Sequence, residues 1–176
     1  MLDFARNHFE LFGLPARYAL DTAALDDAYR ALQRTVHPDR HANADDATRR
    51  LSLQAAARVN EAYRTLGDPV ERARYLLGLR GVDAFDETDT SLDIGFLERQ
   101  LERRERAVEA LDARDEGALD VLLREVRADA RALESTLGEL LETQAPPPAA
   151  RARVRELKFL DKLAGDLDEM LAQVDG

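Results

Sequence analysis

Apolar residues recur at helical period along almost the whole chain, and no stretch of any length alternates apolar and polar side chains as a half-buried strand would. A sheet is therefore excluded, and each helix must bury its stripe against another helix. Leu25, Ala28, Tyr29, Leu32 and Val36 fall on one face of a helix that Asp21 is placed to cap, with Leu20 and Leu25 as a hydrophobic staple. Pro38 ends it, because proline forces the preceding His37 out of helical geometry. After the polar connector DRHANADDA comes a longer helix with Leu51, Ala55, Val59, Ala62, Tyr63 and Leu66 on one face. Two such helices joined by a loop predict an antiparallel hairpin. A short segment, HFELF, precedes it and closes at Gly13 and Pro15. Asp68-Pro69, with Glu71 three residues after the cap, starts a fourth helix carrying Tyr75, Leu76 and Leu79.

The pattern dissolves at RGVDAFDETDTSLD, which marks a domain boundary. The expected organisation is a first domain over 1–80, a linker over 81–90 and a helical bundle over 91–176. The bundle has a helix from about Ser91 to Leu111 and a turn near Asp115-Glu116-Gly117. A second helix carries Leu119, Leu122, Val126, Leu133, Leu137 and Leu140. Beyond QAPPPAA, a third carries Val154, Leu157, Leu160, Leu163, Leu167 and Leu171. Three amphipathic helices with short links predict an antiparallel three-helix bundle. The fold class is all-α. No 34-residue or similar repeat is visible, which argues against a solenoid.

At 176 residues the chain suffices for one ordinary domain or two small ones. Charge divides the halves. Residues 1–80 hold 12 basic and 11 acidic side chains, whereas 81–176 hold 13 basic and 24 acidic. So acidic a second half should repel nucleic acid and anionic membranes. With no cysteine, thiol catalysis, disulfides and thiolate metal sites are excluded. MLDFARNHFELFGL lacks the uninterrupted apolar segment of a signal peptide, and no run approaches the ~20 apolar residues of a membrane span. A cytoplasmic protein is expected.

The stretch YRALQRTVHPDRHAN invites three readings. As a metal site, His37 and His41 have i, i+4 spacing, but Pro38 keeps them off a common helical face and no third ligand is suggested. As a catalytic site it lacks a second polar cluster aimed at a pocket, so neither catalytic residues, metal nor cofactor is expected. As plain structure, proline stops the helix and Arg30, Arg34 and Arg40 form a solvated face. Residue by residue, the plain reading is the stronger.

Taken together the elements point elsewhere. A short helix, a helical hairpin whose loop begins HPD, and a small fourth helix resemble the J-domain of DnaJ-type co-chaperones. The resemblance implies that His37, Pro38 and Asp39 trigger the ATPase of a DnaK-type chaperone, with Arg30, Arg34 and Arg40 as docking cations. A rigidly presented charged loop beside an arginine-bearing face is physically suited to steering onto an acidic partner. LFGLPARYALDTAAL, LQRTVHPDRHA, AARVNEAYRTLGDPVERARYLLGLRGV and RELKFLDKL extend the likeness over nearly the whole chain, to the HscB family of iron–sulfur cluster biogenesis. That resemblance implies two partners, the chaperone HscA and the scaffold IscU. Arg40 stands where a lysine is common, which keeps the charge. Without the cysteine-containing N-terminal segment of some eukaryotic relatives, the chain looks like the bacterial type.

Matching FLERQLERRE and KFLDKL to the same family implies a scaffold-binding set of Leu97, Glu98, Leu101, Glu102, Glu105, Glu109 and Phe159. Glu98 departs from it, since an apolar residue is expected there. On the first bundle helix Phe96, Leu97, Leu101, Val108 and Leu111 span roughly 140° and the four glutamates the next roughly 60°, so Leu101 lies on the border. Phe159 lies roughly 80° from the centre of its leucine stripe. For Leu97, core and docking stay equally open. The glutamates taken alone read as ordinary solvated residues, so Leu101 and Phe159 carry the stronger case.

Overall fold

A computed structural model describes residues 3–36, 45–85, 92–143 and 147–174. Within them the chain forms α1 (His8–Phe12), α2 (Thr22–Val36), α3 (Asp46–Gly67), α4 (Pro69–Leu79), α5 (Ile94–Asp112), α6 (Glu116–Glu142) and α7 (Pro147–Val174), and no strand. The all-helical expectation is met. The chain divides into two compact units, Met1–Leu76 and Leu77–Gly176.

In the first unit local chemistry sets each helix end. Asn7 and Glu10 form a reciprocal capping box on α1, and Gly13 closes it in the left-handed region at φ 67°. The Asp21 carboxylate accepts from the amides of Ala23 and Ala24, Asp45 from Thr48, and Asp68 from Glu71. α2 and α3 lie side by side, joined by stacked Tyr29 and Tyr63 rings with centroids 4.1 Å apart. Tyr29 donates to Asn60 Oδ1 and Tyr63 to Asp26 Oδ1, so each hydroxyl is satisfied at the hairpin seam. Leu25, Val36, Ala55, Val59, Ala62 and Leu66 are buried as their stripes require, while Leu51 and Leu79 are exposed.

His8 is buried and stacks on Tyr75 of α4, ring centroids 4.1 Å apart, and the Tyr75 hydroxyl accepts from the His8 amide. Burial, assisted by the Arg58 cation and opposed by Glu61, lowers the His8 pKa from its ordinary 6.5. The folded state thus disfavours the imidazolium, and the unfolded chain binds the extra proton more readily. Stability is therefore complete above pH 6.5 and declines as pH falls below that value towards the lowered folded pKa. Urea midpoints measured between about pH 7.5 and 5 should fall with pH in the wild type. His8→Gln should flatten that slope.

In the second unit α6 and α7 pack along their length with α5 against both. Asp93 and Asp115 cap α5 and α6 by accepting from Phe96 and Ala118 amides, and Arg114 makes the turn between them at φ 53°. Residues 77–85 group with this unit. The Arg80 guanidinium donates to the Leu141 carbonyl, Arg155 to the Ala84 carbonyl, and the Lys158 ammonium sits 4.2 Å from the Phe85 ring centroid. Phe96, Leu119, Leu122, Leu123, Val126, Leu160, Leu163 and Leu167 fill the core with Ala107 and Ala110. Leu163→Ala should cost about 2–5 kcal/mol, read from the denaturant midpoint, because the hole is walled by other helices.

The apolar stripe expected on α5 is the one element that divides. Phe96 faces inward with Gln100, Ala107 and Ala110, but Leu97, Leu101 and Val108 are exposed. α5 thus meets the bundle through one aromatic, one amide and two alanines, and its larger aliphatic side chains face water.

Candidate functional site

Two surfaces carry the residues singled out from the sequence, one on each unit. On the first, Arg30 and Arg34 stand one turn apart on the exposed face of α2. Arg30 pairs with Asp27 at 3.0 Å on a face where both side chains are more than half exposed, so water screens the pair and leaves the cation available. His37, Pro38, Asp39 and Arg40, with His41, lie outside the described residues. What can be followed is how the helix before them is held. Ser52 of α3, itself buried, donates its hydroxyl to the Val36 carbonyl at 2.9 Å. That bond satisfies one of the last carbonyls of α2 and ties its final turn to α3 immediately before His37. Ser52 falls at i and i+3 with Ala55 in the α3 stripe. Ser52 was passed over in the sequence; a hydroxyl one turn before Ala55 marks a polar position on that face but does not name its partner.

On the second unit α5 is sorted by chemistry around its axis. At 100° per residue, Phe96, Gln100, Ala107 and Ala110 occupy an inward arc of about 80°. Ile94, Leu97, Leu101 and Val108 occupy an outward arc of about 60°, and Glu98, Glu102, Glu105 and Glu109 the about 60° next to it. Leu101 is 61% exposed and Leu97 40%, which settles the core alternative for both. Ile94, missed by sequence reasoning because it opens the helix ahead of the matched motif, is 74% exposed. With Leu97, Glu98, Leu101, Arg104 and Phe159 it lines an open groove of about 400 Å³.

Phe159 of α7 forms the floor of that groove. Its ring meets buried Phe96 edge-on at 5.8 Å, and the Arg104 guanidinium covers it 5.2 Å from the centroid while reaching Asp166 at 3.7 Å. Half buried, Phe159 belongs to both core and surface.

Charge is sorted in the same way. Three of the four α5 arginines pair with the neighbouring helices, Arg103 with Asp129 at 2.7 Å, Arg106 with Glu125 at 3.4 Å and Arg104 with Asp166, while Arg99 is exposed. Glu98, Glu102, Glu105 and Glu109 are all exposed and have no ion-pair partner among the described residues. Like charges three and four residues apart oppose the helix by a few tenths of a kcal/mol per pair, roughly. A basic surface laid against them relieves that repulsion. Among the described residues no cluster of histidines and carboxylates could hold a metal ion, and no helix is long and apolar enough to cross a membrane.

Two family models match the chain. A DnaJ domain model matches residues 7–75, and a model for the HSCB C-terminal oligomerisation domain matches residues 92–168. A co-chaperone HscB homolog of Burkholderia vietnamiensis is 48% identical over 175 residues, covering 99% of both chains. The chaperone HscB of Vibrio cholerae superposes with a TM-score of 0.85 at 37% identity, covering 96% of this chain and 99% of that one. The human co-chaperone HscB superposes with a TM-score of 0.87 at 27% identity, over 94% of this chain and 82% of that one.

Proposed function

The chain belongs to the HscB family of J-domain co-chaperones, and from that premise we propose that it couples the iron–sulfur scaffold IscU to the DnaK-type chaperone HscA in the cytoplasm. In this reading the HPD loop, His37, Pro38 and Asp39, triggers ATP hydrolysis by HscA. Arg30, Arg34 and Arg40 steer the approach, and Ser52 positions the loop by holding the end of α2. The protein performs no catalysis itself, since the nucleotide is bound and cleaved by the partner. IscU docks on the α5 surface through Leu97, Leu101 and Phe159, with Glu98, Glu102, Glu105 and Glu109 matched to its cations.

The observation that carries the docking assignment is the exposure of Leu101 beside four unpaired glutamates. A leucine with no packing role, at the edge of an acidic strip, is an unfilled contact. Titrating the protein with IscU tests the assignment. Saturable binding that weakens as salt is raised is the expected result, because the acidic strip contributes attraction that ions screen. Absence of binding would send the surface to another client.

A further inference from the structure

Four of the nine large hydrophobic residues exposed among the described residues, Ile94, Leu97, Leu101 and Val108, lie on one narrow arc of one helix. Scattered exposed apolar residues need no explanation, but a line of them does. They are spaced by three, four and seven residues, so the line runs straight down α5 for about 21 Å. The one turn it skips is occupied by Arg104. That side chain is drawn aside onto Phe159 and Asp166. The unpaired glutamates edge the line on one side only, and on its other side lie Arg104 and the Phe159 ring.

We propose that the docking surface is this whole line, from Ile94 to Val108, and that Ile94 and Val108 are contact residues at its two ends. The inference rests on the reading of α5 as the scaffold-docking helix and adds the extent and polarity of the site. The occupant is a protein surface bearing an apolar ridge of about 20 Å with lysines or arginines along one flank. Because unpaired acid borders the line on one side alone, with the Arg104–Asp166 pair on the other, the partner's cations fix which way round it lies. Reversing the partner would set them against the Arg104 side. Charge complementarity selects this occupant over a second copy of the chain, whose α5 would bring its own glutamates to the contact.

The test uses the full-length protein and IscU as probe, by calorimetric titration of Ile94→Ala, Val108→Ala and Leu101→Ala, with Val121→Ala as an exposed apolar control on α6. Ile94→Ala and Val108→Ala should each weaken binding about threefold to tenfold, the range for losing a partly buried aliphatic contact, with thermal midpoints unchanged. Val121→Ala should bind as wild type. If Leu101→Ala weakens binding while Ile94→Ala and Val108→Ala do not, the extended line is overturned and the docking reading stands. If Leu101→Ala also binds normally, the docking reading itself falls and the extension with it. Sedimentation velocity covers the remaining case. A self-association that Ile94→Ala and Val108→Ala abolish without affecting IscU would make the line a contact between copies, and would overturn the proposal.

Discussion

His37→Gln is expected to abolish stimulation of HscA ATP hydrolysis while leaving IscU binding at its wild-type strength. The separation follows from where the two surfaces sit in the chain. His37 follows directly on Val36, whose carbonyl is held by Ser52, and both belong to the first compact unit. The groove that holds Leu101 and Phe159 belongs entirely to the second. Glutamine keeps hydrogen-bonding capacity but not the imidazole, so the substitution removes one group from the loop and leaves the α2–α3 hairpin standing. A steady-state phosphate-release assay with HscA reads the first half of the expectation and an IscU titration the second. Stimulation at the wild-type rate would show that the loop is not the trigger. Ser52→Ala provides a graded companion, since it loses a hydrogen bond of about 1 kcal/mol and loosens the last turn of α2 without touching the loop. It should lower stimulation only in part.

Leu101→Asp is expected to weaken IscU binding by about a hundredfold or more with little loss of stability. Two terms add in the complex. The apolar contact of a leucine is worth about 1.5–3 kcal/mol on full burial, and an unpaired carboxylate enclosed in its place costs at least as much again. In the free protein Leu101 is 61% exposed, so neither term applies, and stability should fall only by the roughly 1 kcal/mol or less that an acid between Glu98 and Glu105 costs the helix. Phe159 behaves differently because it is also core. Phe159→Ala should lower binding and unfolding midpoint together, whereas Phe159→Leu should restore most of the stability and little of the binding. A Leu101→Asp protein that loses much more stability than this would mean that this side chain is packed, contrary to its exposure.

The first unit was legible in the sequence wherever a local rule decided the outcome. Asp21 and Asp68 cap as expected because an acid before an apolar series has amides to accept from, and stripe and break together dictate a hairpin. The split of α5 could not be read from periodicity. Its outward aliphatic residues look like a core stripe, and the alanines and glutamine that face the bundle look incidental until α6 and α7 are placed against them. Ile94 was hidden because it stands before the matched motif. Ser52 was hidden because its bond spans 16 residues and requires the end of α2 to lie over α3. Glu98, which the family resemblance expects to be apolar, shares its groove with Ile94 one turn earlier, so the wall keeps an aliphatic residue.

The central claim is that one chain carries the client and triggers the chaperone, so that attachment at one surface raises the effective concentration at the other. Mixing the two single-defect variants tests it most directly. Under the proposed roles His37→Gln would retain the client surface and Leu101→Asp the trigger. HscA ATP hydrolysis is then measured with IscU present at concentrations where wild-type protein gives full stimulation. The account predicts that an equimolar mixture stays well below the wild-type rate, because client and trigger then sit on different molecules. A mixture that restores the wild-type rate would contradict it, since the two surfaces would not need to be joined.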